Sequence, residues 1–277
     1  MSKYTTSQGH DFSTGDWLDL HFDACKPEYG SMIKSIGIKP GWKVLDAGCG
    51  NGRFLDILSE LVTSQGEIVA IDLAEENIKA VNNAVKAGRF QASVSASVGD
   101  VTALELQNDF FDLVWCANVT QYLDEDDLNK TLDQFKQVLK PNGLVAIKET
   151  DGSSYFFPPT KNTNLLWDSV KEMSNYDKER WFVHPIEMRS TLKHCGFNNI
   201  SQSTHTIERR FPLDEKTMKY LTKLFSLEDV NWSEINLQTE ENQQEWRSLL
   251  DKNSPDYILA QPNFYWREGH IVAIGQK

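Results

Sequence analysis

The sequence predicts an α/β fold in which a largely parallel sheet is covered by helices on both faces. Three observations carry this expectation. Short apolar runs alternate with helical stripes from about residue 37 to residue 150. Most of those runs are apolar throughout, the pattern of strands sandwiched between helices. A cluster of glycines follows the first run, where a buried strand has to hand the chain over to a helix.

Length and composition set the frame. At 277 residues the chain suits one elaborated α/β domain. Hydrophobic residues at 40% and charged residues at 25% suit a protein with a real core. The net charge of -12 would repel phosphate backbones and anionic membranes unless basic residues clustered. They do not: Arg209-Arg210 is the only adjacent arginine pair, and it falls in an expected strand. Neither nucleic acid nor membrane is therefore expected as a partner, while neutral or cationic ligands are compatible. Cys25, Cys49, Cys116 and Cys195 are far apart with no CxxC spacing, so no metal site and no disulfide framework is expected. The N-terminal stretch lacks the apolar run of a signal peptide, and no stretch approaches a membrane span. These features together point to reduced thiols and a cytoplasmic location.

The elements follow in order. Residues 1–25 are polar with scattered aromatics, and a short helix is expected over Pro27–Ile36 before the break at Lys39-Pro40-Gly41. Lys43–Ala47 reads as a buried strand, and Phe54, Leu55, Leu58 and Leu61 follow at helical spacing. Glu67–Leu73 is the second strand. Ile78, Val81 and Val85 mark a helix stopped by Gly88. Ser93–Val98 and Phe111–Ala117 are the third and fourth strands. The stripe Leu128, Leu132, Phe135, Leu139 runs to Pro141-Asn142-Gly143, and Leu144–Glu149 is the fifth strand. Beyond it, helices are expected around Leu165–Met173 and over Ile186–Cys195. Strands are expected over Phe197–Phe211 and Phe264–Gln276, the latter with a turn at Glu268-Gly269. Residues 212–262 between them look helical.

The strongest chemical signal is Val44-Leu45-Asp46-Ala47-Gly48-Cys49-Gly50-Asn51-Gly52. A buried strand ends in an acid, and a glycine-rich loop then opens a helix. Ligands of open α/β sheets bind beyond the carboxyl ends of the strands, where this loop lies. Arg53 breaks the dinucleotide-binding pattern GxGxxG, and the loop lacks the lysine of a phosphate-cradling loop. Asp72 ends the second strand, where a carboxylate can accept from both hydroxyls of a ribose; an acid capping the following helix reads equally well. Asp100 follows the third strand in Gly99-Asp100-Val101. It sits where an adenine amino group could bind, and Gly-Asp is also ordinary turn chemistry. Three acids at three successive strand ends are hard to explain by turns alone.

As a set, these segments resemble the class I S-adenosylmethionine (SAM)-dependent methyltransferases. LDAGCGNG matches that family's glycine motif, FDLVWCANVTQYL its fourth-strand motif and LKPNGLVAI the segment entering its fifth strand. The resemblance covers about residues 37–150. It implies a Rossmann-like seven-stranded mostly parallel sheet with an antiparallel last strand, for which 264–276 is the candidate. It also implies SAM as cofactor and S-adenosylhomocysteine as product. By this resemblance Asp46 and Gly48 hold the methionine end, and Gly50 and Gly52 shape the loop. Asp72 binds ribose with Leu73 beside adenine, Asp100 and the Val101 backbone read the adenine edge, and Asn118 faces the methionine part or the reacting methyl.

Methyl transfer asks for little side-chain chemistry, because positioning the acceptor supplies much of the rate. The acceptor-side candidates are Glu149, Tyr122 and His21 first, then Tyr4, His10, Trp17, Tyr155, His184 and Trp266, with Phe156-Phe157-Pro158-Pro159 as a pocket wall. Glu149 leads because it ends the fifth strand; a structural acid, and a structurally satisfied His21, are the plainer readings. The expected organisation is an N-terminal cap (1–36), the cofactor-binding core (37–211), a helical lid insertion (212–262) and the final core strand (263–277). Such a lid favours a small-molecule acceptor handled by a monomer or homodimer. The competing readings are methylation of a protein or peptide N-terminus, a SAM-binding protein without catalysis and a nucleotide-dependent oxidoreductase.

Overall fold

The computed structural model describes residues 15–156, 184–225 and 240–277. Helix α1 (Gly15–Ser35) leads into β1 (Lys43–Ala47), α2 (Arg53–Val62), β2 (Glu67–Asp72), α3 (Glu75–Lys86) and β3 (Ser93–Val98). Then come β4 (Phe111–Ala117), a 3-10 turn (Thr120–Tyr122), α4 (Glu125–Val138) and β5 (Leu139–Phe156). The last part holds α5 (His184–His194), β6 (Asn198–Arg210), α6 (Glu215–Leu224), α7 (Glu240–Leu250), a 3-10 turn (Ile258–Ala260) and β7 (Tyr265–Gln276).

The strands form one seven-stranded sheet in the order β3-β2-β1-β4-β5-β7-β6. The first five run parallel, and β7 is antiparallel to both β5 and β6. This is the Rossmann-like arrangement with an antiparallel last strand. The chain order reverses between β1 and β4, so a crevice opens at the carboxyl ends of these two strands.

Both faces of the sheet are buried. Val44, Leu113, Trp115, Ala146 and Val272 pack on one face with Met32 and Ile33 of α1 and Leu58 of α2. Their chain neighbours Leu45, Val114, Val145, Ile147 and Ala273 pack on the other with Leu132 and Phe135 of α4 and Leu192 of α5. Successive residues of a strand point to opposite faces, so a doubly covered sheet needs apolar residues at every position. This is why the central strands read as continuous apolar runs.

Several boundaries differ from the sequence reading, each for a tertiary reason. Helix α1 starts at Gly15 and contains Pro27, whereas a helix over Pro27–Ile36 was expected. Its early turns mix acids with scattered apolar residues in no clear stripe, and partners elsewhere hold them: Asn51 donates to Asp19 at 2.9 Å, and Arg53 pairs with Asp23. Strand β5 runs past Glu149 to Phe156, because β7 continues to pair with it as far as Arg267. No turn forms at Glu268-Gly269. Gly269 lies in the middle of β7, opposite Asp151, and a Cβ there would meet the Ser154 Cβ at 2.4 Å. The glycine admits a crowded neighbouring strand. The helix expected around Leu165–Met173 falls outside the described residues, as does most of the Phe156–Pro159 run.

Candidate cofactor and acceptor site

The crevice is built first by the loop between β1 and α2. Asp46 ends the buried part of β1 at 1% exposure, and its Oδ2 has no hydrogen-bond partner among the described residues. Burial, with the neighbouring Asp72 charge, pushes its carboxyl up to about 8. Gly48 has φ +77, and a Cβ there would sit 2.3 Å from Val119 Cγ2. The backbone amides of Gly48 and Cys49 both donate to the Ile71 carbonyl at 2.8 Å, which folds the loop back over the end of β2. Gly50 N donates to Asp72 Oδ2 at 2.8 Å. Gly52 is the N-cap of α2 in the left-handed region, where only glycine is unstrained.

Asp72 makes the helix-start contact that was one of its two readings, and it ties the glycine loop to that helix as well. Its Oδ2 holds the glycine loop, and its Oδ1 accepts from Ala74 N at 2.9 Å and Asn77 Nδ2 at 3.0 Å at the start of α3. Beside it Leu73 is 48% exposed, and Val98, the register partner of Asp72 on β3, is 52% exposed. Two large apolar side chains are thus left uncovered at the carboxyl edge. Asp100 Oδ1 accepts from both the amide and the hydroxyl of Thr102 at 2.8 Å, the turn contact, while Val101 is buried below it.

The segment after β4 forms the opposite wall. Asn118 has φ +57; its amide donates to the Lys148 carbonyl, and its Oδ1 accepts from Lys148 Nζ, each at 2.8 Å. Lys148 is fully buried, which lowers its ammonium to about 8. Glu149 is buried, with one carboxylate oxygen bonded to the turn after β4 and its Oε2 without a hydrogen-bond partner among the described residues. Its Oε1 accepts from Val119 N at 3.0 Å, Thr120 N at 2.8 Å and Thr120 Oγ1 at 2.7 Å, so it fixes the turn that carries Asn118 and Tyr122. Burial raises its carboxyl to about 7, against the Thr120 hydroxyl that favours the charged form. Tyr122 is half-buried on that turn.

His21 belongs to a different group. Its ring stacks on Tyr220 of α6 at 4.9 Å, and its Nε2 lies 3.1 Å from Tyr29 OH and 3.6 Å from Glu268 Oε1. Around Glu268 gather Cys25, Tyr220 and His270, a buried polar cluster that the sequence reading missed. The one sequence signal for it is the spacing of His21, Cys25 and Tyr29 along one face of α1. Of the other candidates, Trp266 is buried against Tyr155, and His184 opens α5. Tyr4, His10 and the Trp17 side chain lie outside the described residues.

The comparisons now bear on this crevice. Residues 44–143 match the family described as a methyltransferase domain. The demethylmenaquinone methyltransferase of Staphylococcus aureus (strain JH9) is 31% identical over 207 residues, covering 68% of this chain and 80% of the relative. The chain belongs to the class I SAM-dependent methyltransferases. It spans less of some relatives: a 37.1 kDa protein in transposon TN4556 of Streptomyces fradiae is 28% identical over 48% of this chain but only 37% of its own length. A SAM-dependent methyltransferase from Aquifex aeolicus superposes with a TM-score of 0.51 at 23% identity, over 71% of this chain and 93% of that one, which shows the shared fold.

SAM is the cofactor of this methyltransferase family, and the crevice fits it. The orphaned Asp46 oxygen suits a cationic amine, the uncovered Leu73 side chain suits an aromatic base, and the Asp72 carboxylate beside it suits a diol. Among the described residues no helix is long and apolar enough to cross a membrane.

Proposed function

We propose that this methyltransferase transfers the methyl group of SAM to a small-molecule acceptor enclosed by chain segments outside the shared core. The observation that carries the reading is the placement of α1. Its first turns lie against the glycine loop: Leu18 Cδ1 is 3.4 Å from where a Gly50 Cβ would be, Asp19 accepts from Asn51, and Asp23 pairs with Arg53. One turn on, His21 stacks on Tyr220 of α6, part of the segment between β6 and β7. Cap and insertion therefore meet next to the cofactor crevice, an arrangement that suits a metabolite better than a polymer. The acceptor named for the curated relative, a demethylmenaquinone, is itself a small molecule.

SAM supplies an electrophilic methyl group on a sulfonium. In this reading Asp46 and Gly48 hold its methionine end, and Gly50 and Gly52 keep the loop close. Asp72 accepts from the ribose, Leu73 flanks the adenine, Asp100 and Val101 read the adenine edge, and Asn118 faces the reacting end. Tyr122 is the acceptor-facing hydroxyl. Glu149 and His21 act through position, Glu149 by fixing residues 119–120 and His21 by joining α1 to α6. Water exclusion and alignment then carry most of the rate.

The test is incubation of the purified chain with methyl-labelled SAM and a fractionated cell extract, followed by mass spectrometry. Label in a low-mass product supports the reading. Label confined to polypeptide overturns it in favour of protein methylation, and SAM binding with no labelled product favours a non-catalytic role.

A further inference from the structure

The buried cluster beneath α1 takes no part in the contacts that build the glycine loop, and four polar side chains converge in it on one carboxylate. Glu268 is fully buried on β7. Its Oε2 makes a normal bond, accepting from Tyr220 OH at 2.9 Å. Its Oε1 is faced by three donors at once: Cys25 Sγ at 3.3 Å, His270 Nε2 at 3.3 Å and His21 Nε2 at 3.6 Å. The His270 contact is a long hydrogen bond, and His21 Nε2 bonds Tyr29 OH at 3.1 Å while standing just beyond bonding distance of this oxygen.

The same spacing is natural around a metal ion. Bonds of about 2.0–2.3 Å in tetrahedral geometry put neighbouring ligand atoms roughly 3.3–3.8 Å apart. The ligand atoms of His21, Cys25 and Glu268 all lie within 4.8 Å of one another. No organic molecule fits among atoms this close, whereas one small cation does once the widest pair closes by about an ångström. His21 and Cys25 are one helical turn apart on α1, the i, i+4 placement that presents two ligands on one face. The donor set also selects the ion. Calcium and magnesium take oxygen ligands, while a mixed imidazole, thiolate and carboxylate set suits zinc.

We propose that His21, Cys25 and Glu268 bind one zinc ion that clasps α1 to β7. Tyr220 holds the second oxygen of the Glu268 carboxylate and so orients the ligand, the usual task of an outer partner. His270, next to the same carboxylate, stands ready beside the fourth position. The contact between Tyr29 OH and His21 Nε2 is lost when the nitrogen takes the metal. Cysteine spacing gave no hint of this site, because Cys25 and Glu268 are 243 residues apart in the chain. The proposal is independent of the acceptor's identity and concerns the anchoring of the cap.

The experiment uses the full chain freed of metal by chelation and dialysis. Zinc titrated by calorimetry should bind with one equivalent and raise the thermal midpoint, since a ligand of the folded state stabilises it. Cobalt(II) as the probe should give a thiolate-to-metal charge-transfer band together with strong tetrahedral visible bands. Cys25→Ser should abolish the charge-transfer band and the zinc-dependent rise, with far-ultraviolet circular dichroism and a cooperative thermal transition as the fold control. His21→Gln, read the same way, covers the case in which the serine variant fails to fold. Absence of stoichiometric zinc binding to the folded wild-type chain overturns the proposal, as does a cobalt spectrum unchanged in either variant.

Discussion

Replacing Asp72 separates two jobs that one carboxylate does here. Its oxygens accept from Gly50 N at 2.8 Å, Ala74 N at 2.9 Å and Asn77 Nδ2 at 3.0 Å. Hydrogen bonds to a charged group contribute about 1.5–3 kcal/mol each when buried, less where water competes, and Asp72 is only half-buried. Asp72→Ala removes all three and should cost about 2–4 kcal/mol of stability, which for a chain of this size is a fall in thermal midpoint of roughly 5–15 °C. If the carboxylate also accepts from the ribose, SAM affinity should fall by a further ~2–3 kcal/mol, or roughly 30- to 150-fold.

Asp72→Asn divides these effects. The amide keeps one oxygen for Ala74 N, but its NH₂ group cannot accept from Gly50 N. The midpoint should therefore fall by less than half as much as in the alanine variant, while SAM affinity falls nearly as far. Calorimetric titration with SAM and S-adenosylhomocysteine, beside thermal melts, reads both numbers. Wild-type affinity in a folded Asp72→Ala variant would refute the ribose role and leave Asp72 as a tie between loop and helix.

Three further outcomes are expected. Gly48→Ala places a Cβ 2.3 Å from Val119 Cγ2 at φ +77, so SAM binding should weaken at least tenfold in a chain that still folds; unchanged titration would show that the Val119 wall moves freely. Thr120→Val deletes the 2.7 Å hydroxyl bond to the buried Glu149 and should lower stability by about 1.5–3 kcal/mol in denaturant melts, with no loss meaning that Glu149 is held well enough by the two amides. Asp46 has its carboxyl raised from 3.8 to about 8, so between these values the folded chain holds a proton that the unfolded chain has released; stability should fall as pH rises through that window, and Asp46→Asn should flatten the slope in melts taken across it.

The parts of the fold legible in the sequence are those specified locally. Strands β1, β3 and β4 have the expected ends because each is a short run of strand-forming residues closed by a turn-forming glycine or asparagine. The positions of the glycine loop and the three acids were legible for the same reason: Asp46, Asp72 and Asp100 each lie at or within two residues of a strand's end. What was not legible depends on distant partners. The early turns of α1, which show no clear stripe, are held by Asn51 and Arg53. Gly269 reads as a turn until Ser154 is placed beside it. Glu149 reads as a cleft acid because it ends a core strand, yet Thr120 and its neighbouring amides draw one of its oxygens inward.

Helix α1 links these observations into one physical argument. One face of it carries Asp19 and Asp23 towards the glycine loop, and another carries His21, Cys25 and Tyr29 towards β5, β7 and α6. Lys148 Nζ lies 4.8 Å over the Tyr29 ring and also donates to Asn118 Oδ1, so one buried ammonium joins the helix to the Asn118 wall of the crevice as well. A change at either end of α1 is therefore expected at the other. Loosening the Asp23–Arg53 pair with Arg53→Ala should lower SAM affinity and, where zinc binds, zinc affinity together, because both depend on where this helix lies. A variant that moved one affinity and left the other untouched would show that the two ends of α1 are held independently.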